Sequence, residues 1–378
     1  MDPAALCESA GGAINEAETP RKNGQGANDD EDSPRSPMKK LRIIPLVREE
    51  FVPPETVESK DALLAAPWKM EYDIAATLRD MGHDITCVGV YDDLTPIRDT
   101  VRELRPHVVF MLLEEFHGVP AYDHAIVSYL ELLKQHYTGC NPRGMFLSRD
   151  KADSKKILTY HRVPTPRFVE IDRTSRPRLT RKLSYPLLVK TLGDDASLGI
   201  SQASVVDNER EMSDRVRYVH EQLQRDAIVE EYVAGRELYV GVMGNDRLDA
   251  FPVWEMNFSD LPPGSAPIAT ARVKWDPKYQ KRHNIRTHAA KDIDPKLAAS
   301  IRRASKRVYR LLCMTGYARI DWRLRPDGKF FFLEANANPN LEYGEDFAES
   351  AHAAGVSYEK LLTRIIKLGM SYDAPWRE

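Results

Sequence analysis

Between Leu41 and Leu133 short β-rich runs alternate with helical patterns, and this alternation restricts the fold more than any other feature of the chain. Leu41–Val47, Ile85–Val90 and Val108–Leu112 read as strands. Ile74, Leu78 and Met81 are spaced four and three apart, a second helical stretch runs to Leu104, and Ile126, Tyr129, Leu130 and Leu133 make a third apolar stripe. Strands in turn with helices imply a parallel sheet covered on its faces. This first unit ends near Tyr137-Thr138-Gly139-Cys140.

The chain has 378 residues, too many for one hydrophobic core. At 42% hydrophobic and 29% charged it has an ordinary soluble composition. No apolar run is long enough to cross a membrane as a helix. Met1–Ala13 lacks a basic region followed by an apolar one, so no secretory signal is expected. A net charge of −3 argues against a general nucleic-acid binder. The four cysteines are far apart, with no Cys-x-x-Cys pair, which excludes a disulfide framework or zinc cluster and suits a cytoplasmic protein. Residues 1–37, rich in small and polar residues with an acidic run at Asp29–Asp32, are expected to be a disordered tail.

Prolines punctuate 164–186, and short strands are expected at 187–190, 227–232 and 237–243. A long helix is expected from about Pro295 to Met314, with Asp294 as its N-cap and Pro295 at its first position.

The chemistry concentrates at Gly316–Pro339. Ala318, Ile320 and Trp322 alternate with Arg319, Asp321 and Arg323, so one face is apolar and the other charged. Pro326-Asp327-Gly328 is a turn signal, and Phe330–Asn336 returns beside the first strand. A two-residue loop sets Asp321 opposite Glu334 and Arg319 opposite Asn336; a three-residue loop slips this register by one unless a bulge compensates. Like charges opposed in a sheet are unfavourable, so the pair is either a hard-cation site or part of a salt-bridge ladder with Arg319 and Arg323. The polar run Asn336-Ala337-Asn338-Pro339-Asn340 favours the cation site.

Two further segments carry weaker signals. Lys190 ends an apolar strand and is followed by a loop with Gly193, Ser197 and Gly199, which can turn backbone N–H groups toward phosphates. It is neither a Walker loop nor a dinucleotide fingerprint, and a plain surface loop is the competing reading. Glu230-Glu231-Tyr232-Val233 with Gly235 and Glu237 could bind the polar edges of a nucleoside or be solvated turn acids.

Taken in order, Tyr137-Thr-Gly, Asp150-Lys151, Val189-Lys190 with its glycine loop, Glu230-Glu231, Gly235-x-Glu237, Arg319-Ile-Asp321 and Glu334-Ala-Asn336 resemble the ATP-grasp superfamily, and within it the D-alanine–D-alanine ligase-like carboxylate–amine ligases. The resemblance runs from about Val108 to Ile366. It implies an α/β, ATP-grasp fold of three subdomains after the tail: 38–145 Rossmann-like, 146–245 central, and 246–378 C-terminal with the metal site. ATP would lie between the last two. Lys151 and Lys190 would contact the phosphates, and Gly193–Gly199 would form a lid with Ser197 near the reacting groups. Glu230 would accept from the adenine amino group, Glu231 and Val233 would line the base, and Glu237 would hold the ribose hydroxyls. Lys278 resembles the mobile-loop lysine that reaches the terminal phosphate. Asp321, Glu334 and Asn336 would hold two Mg²⁺ (or Mn²⁺) ions, and Arg319 would neutralise the transferring phosphoryl group.

The implied reaction is phosphorylation of a carboxylate by ATP, followed by amine attack on the acyl phosphate. The family is often dimeric, so a homodimer is expected by resemblance. Downstream of Pro339 the chain departs from the D-alanine ligases: Glu342, Glu345 and Asp346 stand where those enzymes hold a substrate carboxylate. This argues against D-alanyl-D-alanine synthesis and for another amino acid, peptide or small metabolite. The alternatives are a ligase that adds an amino acid to a protein, like the ribosomal-protein glutamate ligases, and a non-catalytic nucleotide-binding protein.

Overall fold

The computed structural model describes residues 39–180, 182–193 and 199–377. The expected tail and Ser197 lie outside the described residues. Residues 40–378 form the unit that carries every element.

The first sheet is parallel, as the alternation predicts. Strand β1 (Arg42–Arg48) is central; β2 (Asp84–Ile85) and β3 (Val88–Val90) pair along one edge and β4 (Val108–Met111) along the other. The run read as one strand, Ile85–Val90, is thus two short strands on the same neighbour. Five consecutive buried residues in β1 and four in β4 mark a sheet covered on both faces. The helices of this lobe are α1 (Lys60–Ala65), α2 (Lys69–Asp80), α3 (Thr95–Leu104) and α4 (Asp123–Leu132).

Two helices lead out of it, α5 (Pro142–Arg149) and α6 (Lys151–Tyr160). Asn141 caps α5, with Pro142 at its first position. Asp150 caps α6 by accepting from the backbone N–H of Ala152 and Asp153, both at 2.8 Å. The Asp-Lys dipeptide is therefore a helix start, and it presents Lys151 from the first turn.

The second sheet is antiparallel: β5 (Phe168–Ile171), β6 (Leu187–Thr191), β7 (Val205–Val206) and β8 (Ala227–Glu231), in the order β5-β8-β6-β7. Helix α7 (Glu209–Glu221) covers one face with Met212, Val216 and Val219.

The third sheet contains β9 (Arg236–Met243), β10 (Asp249–Ala250), β11 (Trp254–Met256), β12 (Thr287–Ala289), β13 (Tyr317–Leu324) and β14 (Phe330–Asn336), in the order β12-β11-β9-β13-β14 with β10 also on β9. The short helices α8 (Ala271–Trp275) and α9 (Pro277–Arg282) lie in its β11–β12 connection. Long helix α10 (Pro295–Leu311) starts at the expected cap, Asp294, which accepts from Lys296 at 2.7 Å. Its Ser305 hydroxyl accepts from the buried Trp322 indole at 2.9 Å. Strand β9 was grouped by sequence with residues 146–245, yet it pairs over its whole length with β13, so the change of sheet falls between Glu231 and Arg236. The cause is the turn at Gly235, which reverses the chain out of β8.

Helix α11 (Asp346–Ala353) packs on β9 and β12 of the third sheet, and α12 (Tyr358–Ser371) returns to α2 and β4 of the first lobe. Leu361, Leu362, Ile365 and Ile366 share one core cluster with Ile43, Val108 and Phe110. Among the described residues no helix is long and apolar enough to cross a membrane.

Candidate active site

The β13–β14 hairpin positions the acidic pair by the longer of the two loops considered, with a compensating bulge. Its loop is the three residues Pro326-Asp327-Gly328, closed by the Arg325 N–H donating to the Lys329 carbonyl at 2.8 Å. Leu324 faces Phe330 and Trp322 faces Phe332, but Asp321 faces Glu334 and Arg319 faces Asn336. Leu333 is the extra residue: a β-bulge restores the register that a longer loop displaces.

Arg319 donates from Nε and Nη2 to the two Asp321 oxygens at 2.8 and 2.9 Å, a bidentate pair. Its guanidinium lies 4.6 Å from the centroid of the Tyr239 ring and 3.9 Å from Asp346 Oδ2. Burial raises the Asp321 carboxyl above its usual range against the lowering by Arg319, and the Glu334 charge adds to the rise. Burial acts on Glu334 in the same sense, but Lys151, Lys274, Lys190 and Arg319 outweigh it and hold Glu334 low. Lys151 Nζ is 3.8 Å from Glu334 Oε2. One site therefore keeps two opposed carboxylates beneath four cationic side chains.

Two cavities meet here. A narrow slot between the second and third sheets is lined by Lys190 and Leu188 of β6, Glu230–Val233, Glu237, Ile268 and Asp321. A larger cavity, about 770 Å³, opens on the other side, with Arg319, Asn336, Asn338, Glu342, Glu345 and Asp346 on one wall and Glu114, Glu115 and Arg149 on another. Lys274 and Glu334 line both, so they stand at the junction. Lys190 Nζ is 3.1 Å from Glu230 Oε2. Glu237 accepts from Arg323 Nη2 at 2.8 Å and from the Tyr239 hydroxyl at 2.9 Å.

Most of the residues singled out from sequence are thus gathered here, with exceptions. Lys278 lines neither cavity and is exposed on α9, whereas Lys274, four residues earlier, lines both. Asp276 and Pro277 start a new helix, which carries Lys278 outward, whereas Lys274 stays in the last turn of α8. Glu231 borders the slot, but its carboxylate accepts from Arg167 Nε at 2.9 Å and from the Ser184 N–H at 2.8 Å. Gly193 and Gly199 bracket the undescribed loop; Gly199 has φ +70° and its carbonyl accepts from Arg215. His117 is exposed beside Asp92 and Tyr91 and lines neither cavity. Sequence reasoning missed Lys274, Lys155, Arg149 and the buried partner role of Arg323. The Lys274–Lys278 pentapeptide held the signal for the first; nothing in the run Lys151–Leu158 distinguishes Lys155.

A family model described as the D-ala D-ala ligase C-terminus matches residues 156–367. A protein of Sinorhizobium fredii, y4sG, itself uncharacterized, is 30% identical over 311 residues, covering 79% of this chain and 88% of that one. The chain belongs to the D-alanine–D-alanine ligase family. It is thereby an ATP-grasp protein of a carbon–nitrogen ligase family whose cofactors are ATP and Mg²⁺. The D-alanine–D-alanine ligase of Nitratidesulfovibrio vulgaris is 27% identical over 320 residues, 82% of this chain and 98% of that one. The crystal structure of the Bacillus anthracis D-alanine–D-alanine ligase with ATP superposes with a TM-score of 0.65 at 21% identity, covering 87% and 97% of the two chains, and bears out the ATP-grasp fold. The argument against D-alanyl-D-alanine synthesis drawn from residues 340–347 finds no support among these ligase-family relatives.

Proposed function

We propose that this family member is an ATP- and Mg²⁺-dependent carboxylate–amine ligase that forms an amide bond through an acyl phosphate on an amino acid, peptide or small metabolite. One observation carries the reading: the bulged hairpin sets Asp321 against Glu334 with Arg319, Lys151 and Lys274 around them, at the junction of slot and cavity.

Two carboxylates and the Asn336 amide oxygen are hard oxygen donors, suited to Mg²⁺ that completes its shell with phosphate oxygens and water. Among the described residues no group of three His, Cys, Asp or Glu side chains is placed to hold a metal ion, so the donor set here is two carboxylates and one amide. Arg319 engages both Asp321 oxygens, but a carboxylate has about four lone-pair sites and can share them. The bound ions would draw off phosphate charge and orient the terminal phosphoryl group. The slot would take the nucleoside, with Glu230 and Val233 at the base and Glu237 at the ribose. Lys151, Lys190 and Lys274 would neutralise the phosphate chain. In the cavity, a substrate carboxylate oxygen would attack in line while Arg319 holds the charge that spreads over the transferring group. The amine would then displace phosphate from the acyl phosphate. Positioning and neutralisation suffice for this chemistry, and no protein nucleophile is called on.

The test is ADP and phosphate release with Mg·ATP against pooled amino acids including D-alanine, peptides and polyamines. Release stimulated by one pool should fall by about a hundredfold or more in Arg319→Ala and Asp321→Asn. Stimulation that survives both substitutions would remove the hairpin from the chemistry.

A further inference from the structure

Lys155 is fully buried in α6 and borders neither the slot nor the cavity. Its Nζ lies 3.4 Å from Glu230 Oε1 on β8 and donates to the carbonyl of Leu333, the bulge residue that β14 leaves out of the ladder. The Phe332 carbonyl is 3.5 Å away, and the Phe332 ring lies beneath the ammonium with its centroid at 5.2 Å. One ammonium therefore ties the second sheet to the third at the bulge that brings Glu334 opposite Asp321.

Glu230 is equally buried, and its other oxygen faces Lys190. The two lysines differ in what they can do. Lys190 borders the slot and can leave Glu230 for a phosphate; Lys155 cannot. If Lys190 were the sole counter-charge, its departure would strand a buried carboxylate, which costs several kcal/mol. With Lys155 in place, Glu230 stays charged whichever partner Lys190 takes. A carboxylate only accepts hydrogen bonds, whereas a protonated carboxyl also donates.

We propose that Lys155 is the positioning residue for base selection in the slot: by holding Glu230 as a carboxylate, it makes the site accept a base with an exocyclic amino group at that edge and reject one with a carbonyl oxygen. This rests on the reading of the slot as the nucleotide site. Adenine presents an amino group there and guanine a carbonyl, so the prediction is a preference between two purine nucleotides.

The experiment is equilibrium titration of the full-length chain with Mg·ADP and Mg·GDP, for the wild type, Lys155→Met and Lys155→Gln, with thermal melting to confirm folding. Lys155→Gln keeps a donor for the Leu333 carbonyl and removes only the charge, so it serves if the methionine variant does not fold. The wild type should prefer ADP, and both variants should lose that preference at least tenfold through weaker ADP binding with GDP held or improved. Equal weakening toward both nucleotides would make Lys155 a structural tie and overturn the proposal, as would an unchanged ratio. A wild type that binds neither nucleotide would remove the nucleotide reading of the slot itself. A wild type that binds ADP, with variants of unaltered preference, would remove the role of Lys155 alone.

Discussion

Lys274 and Lys278 are four residues apart in one polar stretch, and the structure sends them in different directions. Lys274 lies within electrostatic reach of both acids, while Lys278 is exposed beyond a fresh helix start. Lys274→Ala should therefore lower ADP release by about tenfold or more, and Lys278→Ala by no more than about twofold. Steady-state turnover of the two variants checks this. Glu71 offers a second test. It is 3% exposed, Oε2 has no hydrogen-bond partner, and burial, reinforced by Glu342 against the lowering by Arg48, raises its carboxyl from 4.5 to about 7. Because the folded value lies above the unfolded one, the native state holds the extra proton between these limits, and stability falls as pH rises through the window. The stability of Glu71→Gln relative to wild type should therefore increase by about 3 kcal/mol from pH 4.5 to pH 7 and stay level above it. Denaturant titrations across that range read it directly. Glu71 lines neither cavity. Individual residues were legible where a local rule fixes them: Asp294 as a cap, and Asp321 by its alternation. Lys155 was not, because its burial is decided by β14 passing over α6, a contact with no trace in the run Lys-Ala-Asp-Ser-Lys-Lys.

Among the elements, the hairpin was the most readable and the bulge within it the least. Apolar-charged alternation and Pro-Asp-Gly specify two antiparallel strands, but Phe330-Phe331-Phe332-Leu333 is uniformly apolar and does not mark where the period breaks. The β8–β9 turn has a sharper signature. Gly235 has φ +150°, and a Cβ there would stand 2.0 Å from the Leu324 carbonyl oxygen. Its own carbonyl accepts from Arg323 Nη1 at 3.2 Å, so the turn also seats the side chain that grips Glu237. Gly235→Ala should cost about 1–3 kcal/mol of stability. Because the turn joins Glu231 to Glu237, nucleotide affinity should fall with it, and a melting curve beside an ADP titration would separate the two losses.

For the whole molecule, alternation made the first parallel sheet legible and its own period made the β13–β14 hairpin legible, whereas the division into three parts came only from the family resemblance. The way the lobes share cores was not legible, because periodicity says which face is apolar and nothing about what covers it. Helices α11 and α12 were grouped by sequence with the C-terminal part, yet α12 seals the first sheet. Leu362 is fully buried and packs in the cluster of Ile43 and Phe110. Leu362→Ala should cost about 2–5 kcal/mol, measured as a shift in the denaturant midpoint, although it lies outside the first lobe in sequence. The same arrangement bears on how the chain comes to be folded. A ribosome delivers β1 about three hundred residues before α12, so the earliest sheet emerges with one apolar face uncovered and waits for α12 to close it. Contacts of such long sequence separation form slowly, because the loop entropy is lost before they reward it. The first lobe is thus the last to be finished, and its exposed face is what the nascent chain must keep from its neighbours until then.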